Sequence, residues 1–208
     1  MSRPCLKICG ITRQKDALLA SSLGVHALGF IFFPRSPRYI SPEKVREIIS
    51  KIPPFVQTVG VFVDEEGERI RKIAKFCNLN LIQLHGQEPP SFCEELGLST
   101  IKAIRIKDKG NLEAIPKYKH KVKGILLDTY KSSKLGGTGE TFNWDLAIKA
   151  KRFGIPIILA GGLRPDNIKS AIETVKPYGL DVNSGVEKAP GIKDEKLIKE
   201  LIGIWKEF

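Results

Sequence analysis

The feature of this sequence that most constrains its fold is an eightfold alternation of short apolar runs with longer segments of helical character. Such alternation is typical of repeated βα units built around a parallel sheet. The apolar runs lie at 5–9, 27–33, 56–63, 79–85, 100–106, 122–128, 155–160 and 179–184. The predicted helices lie at 13–23, 42–51, 65–76, 89–96, 111–115, 144–153, 165–175 and 194–205.

The spacing of these units favours a closed barrel over an open sheet. Eight units in 208 residues leave 26 residues for each, close to the minimum for a strand, a helix and two loops. The sequence therefore predicts the α/β class and a single (β/α)8 TIM barrel domain over residues 1–208. A doubly wound open sheet is the alternative, but no GxGxxG motif follows the first predicted strand.

Composition limits the class of protein further. Hydrophobic residues make up 42% of the chain, yet no apolar stretch approaches the ~18 residues of a membrane helix. The first residues also lack the apolar core of a secretory signal, so we expect a cytoplasmic protein without membrane association. The four cysteines, at 5, 9, 77 and 93, are too scattered for a disulfide framework or a metal cluster, which predicts reduced thiols and no metal.

The net charge raises the question of a nucleic-acid partner. Lysine and arginine number 34 against 23 acidic residues, which gives +11. The basic residues are spread along the chain without a recognisable RNA-binding motif, so we interpret them as a solvated surface and expect no nucleic-acid partner. A non-catalytic barrel that binds RNA stays the alternative from another functional class, and steep salt dependence of RNA binding would favour it.

Polar residues at the ends of the predicted strands are the first candidates for chemistry, because active sites of (β/α)8 barrels lie at that end. Asp128 closes an apolar run, where partial burial would raise its pKa and make it a usable general acid. Cys9 has Lys7 on the same strand face, and this cation would lower the pKa of the thiol. The remaining candidates are Gln83 and His85 in the fourth strand and Asp181 in the eighth.

Glycine-containing loops follow the seventh and eighth predicted strands. They carry Gly161 and Gly162 in the first case and Ser184 and Gly185 in the second. Glycine lets backbone N–H groups approach an anion, and barrels of this type often bind phosphate after these two strands. We therefore predict a phosphate site there. A further glycine run at 136–139 lacks the lysine of a P-loop and is interpreted as a flexible loop or lid.

A proline-punctuated loop after the second strand carries two arginines. Arg35 and Arg38 stand between and beside Pro34 and Pro37, which stiffen the backbone. A fixed guanidinium suits two-point binding of a carboxylate. Spacing alone does not choose between the two arginines.

Seven motifs along the whole chain then point to a family. They are KICGIT at 7–12, GFIF at 29–32 followed by Pro34, Ser36 and Arg38, QLHG at 83–86, LDT at 127–129, GGTG at 136–139, LAGGL at 159–163 and DVNSGVE at 181–187. In this order they resemble the phosphoribosylanthranilate isomerases, (β/α)8 enzymes of tryptophan biosynthesis. One departure is Asn183, where serine is expected in many relatives.

The resemblance implies roles for individual residues. Cys9 would be the general base, Asp128 the general acid, and Arg38 rather than Arg35 the ligand of the anthranilate carboxylate. The two glycine loops would take the phosphate. The resemblance also suggests that Asp181 helps to bind the substrate. Apart from it, we assign substrate contacts to Gln83 and His85, and a proton-transfer role stays the alternative for His85.

The implied reaction is an Amadori rearrangement. It converts N-(5-phosphoribosyl)anthranilate to 1-(2-carboxyphenylamino)-1-deoxyribulose 5-phosphate and requires no cofactor. The expected partners are this small phosphosugar substrate and a second copy of the chain in a homodimer. Two other phosphate-binding barrels, a ribulose-phosphate epimerase and indole-glycerol-phosphate synthase, are the alternative enzymes, but the metal ligands of the first and a strand-end glutamate for the second are missing from the pattern.

Overall fold

The strands of the computed structural model, which describes residues 3–129 and 144–208, close into one parallel barrel. Each strand pairs with the next along the chain, and the eighth pairs with the first. This confirms the predicted (β/α)8 architecture, and every predicted strand is present within about two residues of its expected bounds. The strands are β1 (Cys5–Ile8), β2 (Ala27–Ile31), β3 (Gln57–Phe62), β4 (Leu81–Leu84), β5 (Thr100–Ile106), β6 (Gly124–Thr129), β7 (Ile157–Leu159) and β8 (Gly179–Val182).

Seven α-helices are described around the barrel, and they occupy seven of the eight predicted helical segments. Ser41 begins α2 as the sequence predicts, since its side chain accepts a hydrogen bond from the N–H of Lys44 and proline takes the first helical position. None of the helices in the described ranges is long and apolar enough to span a membrane. They are α1 (Gln14–Ser22), α2 (Pro42–Ile49), α3 (Gly67–Cys77), α4 (Pro90–Glu95), α5 (Trp144–Ala150), α6 (Pro165–Val175) and α7 (Glu195–Lys206).

The fifth predicted helix is wrong in type. The segment Lys109–Tyr118 forms a 3₁₀ helix instead of an α-helix. Pro116 lies inside it and has no N–H to donate, which removes one of the hydrogen bonds that an α-helix of this length would need. Two shorter 3₁₀ turns, Lys151–Phe153 and Ser184–Val186, follow α5 and β8.

A small hairpin between β8 and α7 was not predicted. Its strands, β9 (Glu187–Ala189) and β10 (Ile192–Lys193), pair in antiparallel fashion around the dipeptide at 190 and 191. Proline followed by glycine is a strong turn signal, so the sequence contained the evidence for a reversal at this point. The strands were too short to show the alternation of polar and apolar residues from which a hairpin is usually recognised.

The barrel interior is divided into an apolar and a polar part. On the side of β5, β6 and β7, small and apolar residues fill the interior, including Ala103, Leu126 and Ile158. On the side of β1 and β8, Lys7 is in register with Asp181, and both side chains are buried. Buried charges require partners, so the polar part needs a specific arrangement of hydrogen bonds and ion pairs.

Helix α7 is joined through Trp205 to the residues that immediately precede β1 and β2. The indole is fully buried, donates a hydrogen bond of 2.8 Å to the carbonyl of Pro4 and meets the ring of His26 edge-on at 5.5 Å. Its guanidinium neighbour, Arg3, lies 4.0 Å from the ring centre. The last helix is thereby joined to the residues that precede the first strand, which closes the ring of helices.

Replacing Trp205 should therefore destabilise the whole barrel. Trp205→Ala should lower the free energy of unfolding by about 3–5 kcal/mol, because it opens a large cavity and leaves a buried carbonyl without its donor. Urea denaturation measures this change. The exposed neighbour in the same helix supplies a control: Lys206→Ala should change stability by no more than about 0.5 kcal/mol. Equal losses in the two variants would contradict the assigned role of Trp205.

Candidate active site

A cavity of about 380 Å³ lies at the carboxyl ends of the strands. Its walls bring together residues that are far apart in sequence but share this end of the barrel. Nine of the ten predicted site residues line it: Cys9, Gln83, His85, Asp128, Gly161, Gly162, Asp181, Ser184 and Gly185. The tenth, Arg38, lies beside it against the segment that follows β1.

Cys9 lies just beyond β1 with its side chain directed into the barrel. Only 4% of the residue is exposed. Lys7 lies two residues earlier, so its side chain points to the same face of the strand. Gly29 of β2 makes room for both, because a methyl group at this position would overlap the Cys9 sulfur and the end of the Lys7 side chain. Burial raises the pKa of the Cys9 thiol above its ordinary value of 9.0, although Lys7 and Lys193 act in the opposite direction.

The expectation of a lowered pKa for the Cys9 thiol is therefore wrong. The sequence correctly placed a cation beside Cys9, but it could not show how fully both groups are buried. Desolvation of an anionic thiolate outweighs the attraction of the neighbouring ammonium groups.

A chain of hydrogen bonds connects Lys7 to Asp128 across the barrel. Lys7 Nζ donates to Gln83 Oε1 at 2.6 Å, which fixes the orientation of the amide because an ammonium group cannot accept. The amide nitrogen of Gln83 then lies 3.0 Å from His85 Nδ1 and donates to it. His85 is consequently the tautomer that carries its proton on Nε2, and this N–H donates to Asp128 Oδ2 at 3.2 Å.

Asp181 has a buried carboxylate with one oxygen that lacks a hydrogen bond. Lys7 Nζ lies 3.1 Å from Asp181 Oδ1 and forms an ion pair with it. The alignment does not make a hydrogen bond, and no other donor reaches this oxygen from the described part of the chain. Burial alone would lower the pKa of Lys7, but Asp181 and Cys9 together hold that pKa above its ordinary value.

The two glycine loops meet at the wall formed by β7 and β8. Gly161 and Gly162 have φ angles of +82° and +70°, a conformation that favours glycine and turns the backbone toward the cavity. Gly185 serves close packing, because a Cβ there would overlap the carbonyl oxygen of Leu163 in the other loop. Glycine is thus required in both loops, for backbone conformation in the first and for the approach of the loops in the second.

Arg38 is held by a carboxylate that the sequence reasoning missed. Its Nε lies 3.0 Å from both oxygens of Glu187, and its Nη2 lies 2.7 Å from Glu187 Oε2. Lys193 Nζ lies 3.0 Å from Glu187 Oε1 and also donates to Asn183. Arg35, by contrast, lies over the ring of Phe33 at 5.2 Å from its centre. Of the two arginines, Arg38 is the one that contacts the segment following β8.

Arg105 is a second cavity residue that was missed. It lines the cavity at the end of β5 and is in register with Asp128 of the neighbouring strand. Period-two alternation from Ile101 through Ala103 would have placed its side chain on the inner face. The glycine run at 136–139 lies outside the described residues, and within the described ranges no cluster of His, Cys, Asp or Glu has the geometry of a metal site.

Comparison with known proteins decides the family. The sequence profile of N-(5'-phosphoribosyl)anthranilate (PRA) isomerase matches residues 6–203. The chain belongs to this family. It is 52% identical over 197 residues to N-(5'-phosphoribosyl)anthranilate isomerase of Geobacter sulfurreducens, a match that covers 95% of this chain and 96% of that protein.

Solved structures of the family have the same fold. One is phosphoribosyl anthranilate isomerase in complex with reduced 1-(o-carboxyphenylamino)-1-deoxyribulose 5-phosphate, at 41% identity and a TM-score of 0.89, covering 99% of this chain and 100% of that one. Another comes from monomers generated from the dimeric phosphoribosylanthranilate isomerase of Thermotoga maritima, at 40% identity and a TM-score of 0.88, with the same coverage. The resemblance inferred from the motifs is thereby confirmed.

Burial of Cys9 predicts that its thiol ionises only in alkaline solution when no ligand is bound. The absorbance of the thiolate should be followed against pH in the parent protein and in Cys9→Ser, and the difference isolates this one cysteine. The midpoint should lie above the ordinary value of 9.0. A midpoint at or below that value would mean that Lys7 and Lys193 dominate over burial.

Proposed function

We propose that the protein catalyses the isomerisation of N-(5'-phosphoribosyl)anthranilate in tryptophan biosynthesis, with Cys9 as general base and Asp128 as general acid. The observation that carries the proposal is that Cys9 and Asp128, from well-separated strands β1 and β6, line one cavity whose third wall consists of the two glycine loops. A substrate held by its phosphate at those loops would lie between an acid and a base. Positioning of this kind supplies much of the rate enhancement in a reaction of one substrate.

The phosphate would be bound mainly by backbone N–H groups. The left-handed conformation of Gly161 and Gly162 precedes α6, whose N-terminus adds the positive end of a helix dipole. Ser184 contributes a hydroxyl donor from the neighbouring loop. The other end of the substrate carries the anthranilate carboxylate, for which Arg38 is the proposed ligand.

Ring opening is the first chemical step. Asp128 donates its proton to the furanose oxygen, the bond between this oxygen and C1 breaks, and the nitrogen lone pair forms an iminium with C1. The carboxylate that remains on Asp128 accepts the hydrogen bond from His85 Nε2. His85 therefore stabilises the charge that the acid acquires, and the Gln83 amide fixes the tautomer that this function requires.

Proton removal from C2 is the second step. The iminium acidifies this carbon, the Cys9 thiolate accepts its proton, and the electron pair forms the C1=C2 bond of the enolamine as the C=N pair returns to nitrogen. The enolamine becomes the ketone when C1 gains a proton and the C2 hydroxyl loses one. Lys7 and Lys193 favour the anionic form of the thiol against the effect of burial. Asp181 lines the cavity, and its carboxylate would accept a hydrogen bond from a sugar hydroxyl. The amide oxygen of Gln83 already accepts from Lys7 and its nitrogen donates to His85. Direct contact between Gln83 and the substrate therefore stays a prediction.

Two finer expectations are also proposed for this chain. A homodimer is supported by the dimeric relative from Thermotoga maritima. A cytoplasmic location is supported by the family, whose substrate is a phosphorylated metabolite. The extent of a single domain over 1–208 stays a prediction.

Loss of either proton-transfer group should abolish most of the activity. Cys9→Ser and Asp128→Asn should each lower kcat by at least ~10²-fold with a much smaller change in KM, because they remove proton transfer without removing the anchors of the substrate. Loss of the fluorescence of freshly generated phosphoribosylanthranilate measures turnover. Cys93→Ser, which changes another buried thiol away from the cavity, should keep parent activity. Near-normal turnover by Cys9→Ser would exclude Cys9 as the base.

Gly162 allows a direct test of the phosphate site. A methyl group there meets nothing within 4 Å, so Gly162→Ala should reach into the space where the phosphate is proposed to bind and raise KM by about tenfold or more. Gly97 provides a matched control, with a φ of +67° against +70° and equally open space, but in a distant loop. Both variants should lose similar stability through backbone strain. If Gly97→Ala raised KM as much, strain rather than phosphate binding would explain the effect.

A further inference from the structure

We propose that Glu187 is a positioning residue which fixes the Arg38 guanidinium for the carboxylate of the substrate, and that Lys193 in turn holds Glu187. The inference rests on the proposed function, since it assumes that Arg38 binds this carboxylate. It adds the hairpin formed by β9 and β10 to the machinery of the site.

The contact between Arg38 and Glu187 is a two-point ion pair in a sheltered place. The Glu187 side chain is 4% exposed and that of Arg38 is 20% exposed, so water screens the pair weakly. Burial alone would raise the pKa of Glu187, but the hydrogen bonds and charges of Arg38 and Lys193 hold that pKa below its ordinary value of 4.5. Glu187 is therefore an anion near neutral pH, and its carboxylate can orient the guanidinium of Arg38.

Arg38 keeps enough donors for a second carboxylate. A guanidinium has five N–H groups. Glu187 takes the one on Nε and one on Nη2, which leaves three without a partner among residues 3–129 and 144–208. Those three comprise both hydrogens of Nη1 and one of Nη2, the edge through which arginine binds a carboxylate at two points. Glu187 thus occupies one edge of Arg38 and leaves the other edge presented in a fixed direction.

The charges also favour this arrangement. Lys193 has a side chain with 0% exposure and contributes one positive charge, so Arg38, Glu187 and Lys193 together carry a net charge of +1. This net positive charge attracts an anionic group of the substrate. Without Glu187, two cations would face one another across a poorly screened space, and Arg38 would move toward solvent.

The hairpin that carries Glu187 and Lys193 is tied to the segment that follows Cys9. The backbone of Lys193 donates to Asp16 and accepts from Arg13, and the Thr12 hydroxyl donates to the carbonyl of Gly191. Lys193 and Glu187 face each other in the register of the two strands. The position of Arg38 is thus fixed relative to the loop beside the general base, as two-point binding of the substrate requires.

The alternative reading of the same contact is that Glu187 competes with the substrate for Arg38. In that case the substrate carboxylate would have to displace Glu187, and removal of Glu187 would strengthen binding. The two interpretations predict opposite signs for one variant. The free edge of Arg38 and the second support from Lys193 favour positioning.

The test uses Glu187→Gln, Arg38→Met and the double variant of the full-length protein. Two probes are measured with each: reduced 1-(o-carboxyphenylamino)-1-deoxyribulose 5-phosphate and the same compound without the ring carboxylate. We expect Glu187→Gln to weaken binding of the first probe about tenfold, to leave the second unchanged, and to raise KM with kcat within about twofold of the parent. In the Arg38→Met background, Glu187→Gln should cause no further loss.

A matched control is the exposed pair of Glu68 and Arg71, whose closest contact is also 2.7 Å. Glu68→Gln should change neither probe. The ratio of the two affinities does not depend on the folded fraction, so it stays informative if Glu187→Gln is less stable. Tighter binding by Glu187→Gln, equal loss for both probes, or an additional loss in the Arg38→Met background would each overturn the positioning role. Unchanged binding in Arg38→Met alone would instead show that the proposed carboxylate ligand is wrong.

Discussion

The buried ammonium group of Lys7 is the interaction on which the active-site half of the barrel depends. A lone cation in this position would be prohibitively costly, because the surrounding strands exclude water. Its charge is balanced by Asp181, and its remaining hydrogen-bonding capacity is directed to Gln83. From this one group the hydrogen bonds reach His85 and Asp128 on the far side of the cavity. Electrostatic pairing of a buried charge has thus organised both the base and the acid of the proposed reaction.

The barrel itself could be predicted from the sequence because its period is simple. Eight short apolar runs at regular spacing need no long-range information to be recognised, and all eight strands were found. The helices could be predicted equally well where a capping residue such as Ser41 or a proline marked their start. The helix type of the segment Lys109–Tyr118 could not be predicted, because a 3₁₀ helix and a weak α-helix have similar apolar patterns over so few residues.

Some residues of the candidate site could likewise be predicted from the sequence, and others could not. Residues at strand ends, such as Cys9 and Asp128, could be found because the fold dictates that chemistry gathers there. Glu187 and Lys193 could not, since they lie in a hairpin whose contact with Arg38 joins positions 149 residues apart. The sign of the pKa shift of Cys9 was also beyond the sequence, because it depends on the balance between the depth of burial and two cations that approach from different elements.

That balance gives the proposed mechanism a definite order. Burial opposes ionisation of Cys9, and the cations that favour the thiolate are themselves paired, Lys7 with Asp181 and Lys193 with Glu187. Asp181 and Glu187 therefore offset part of the effect of these two cations on the thiol. In the proposed mechanism, protonation of the furanose oxygen by Asp128 would create an iminium beside the carbon from which Cys9 removes a proton. Because an unscreened positive charge stabilises a nearby anion strongly in such surroundings, the proposed iminium would favour the thiolate form of Cys9 over the thiol. In the proposed mechanism, the acid step would thus favour the base step.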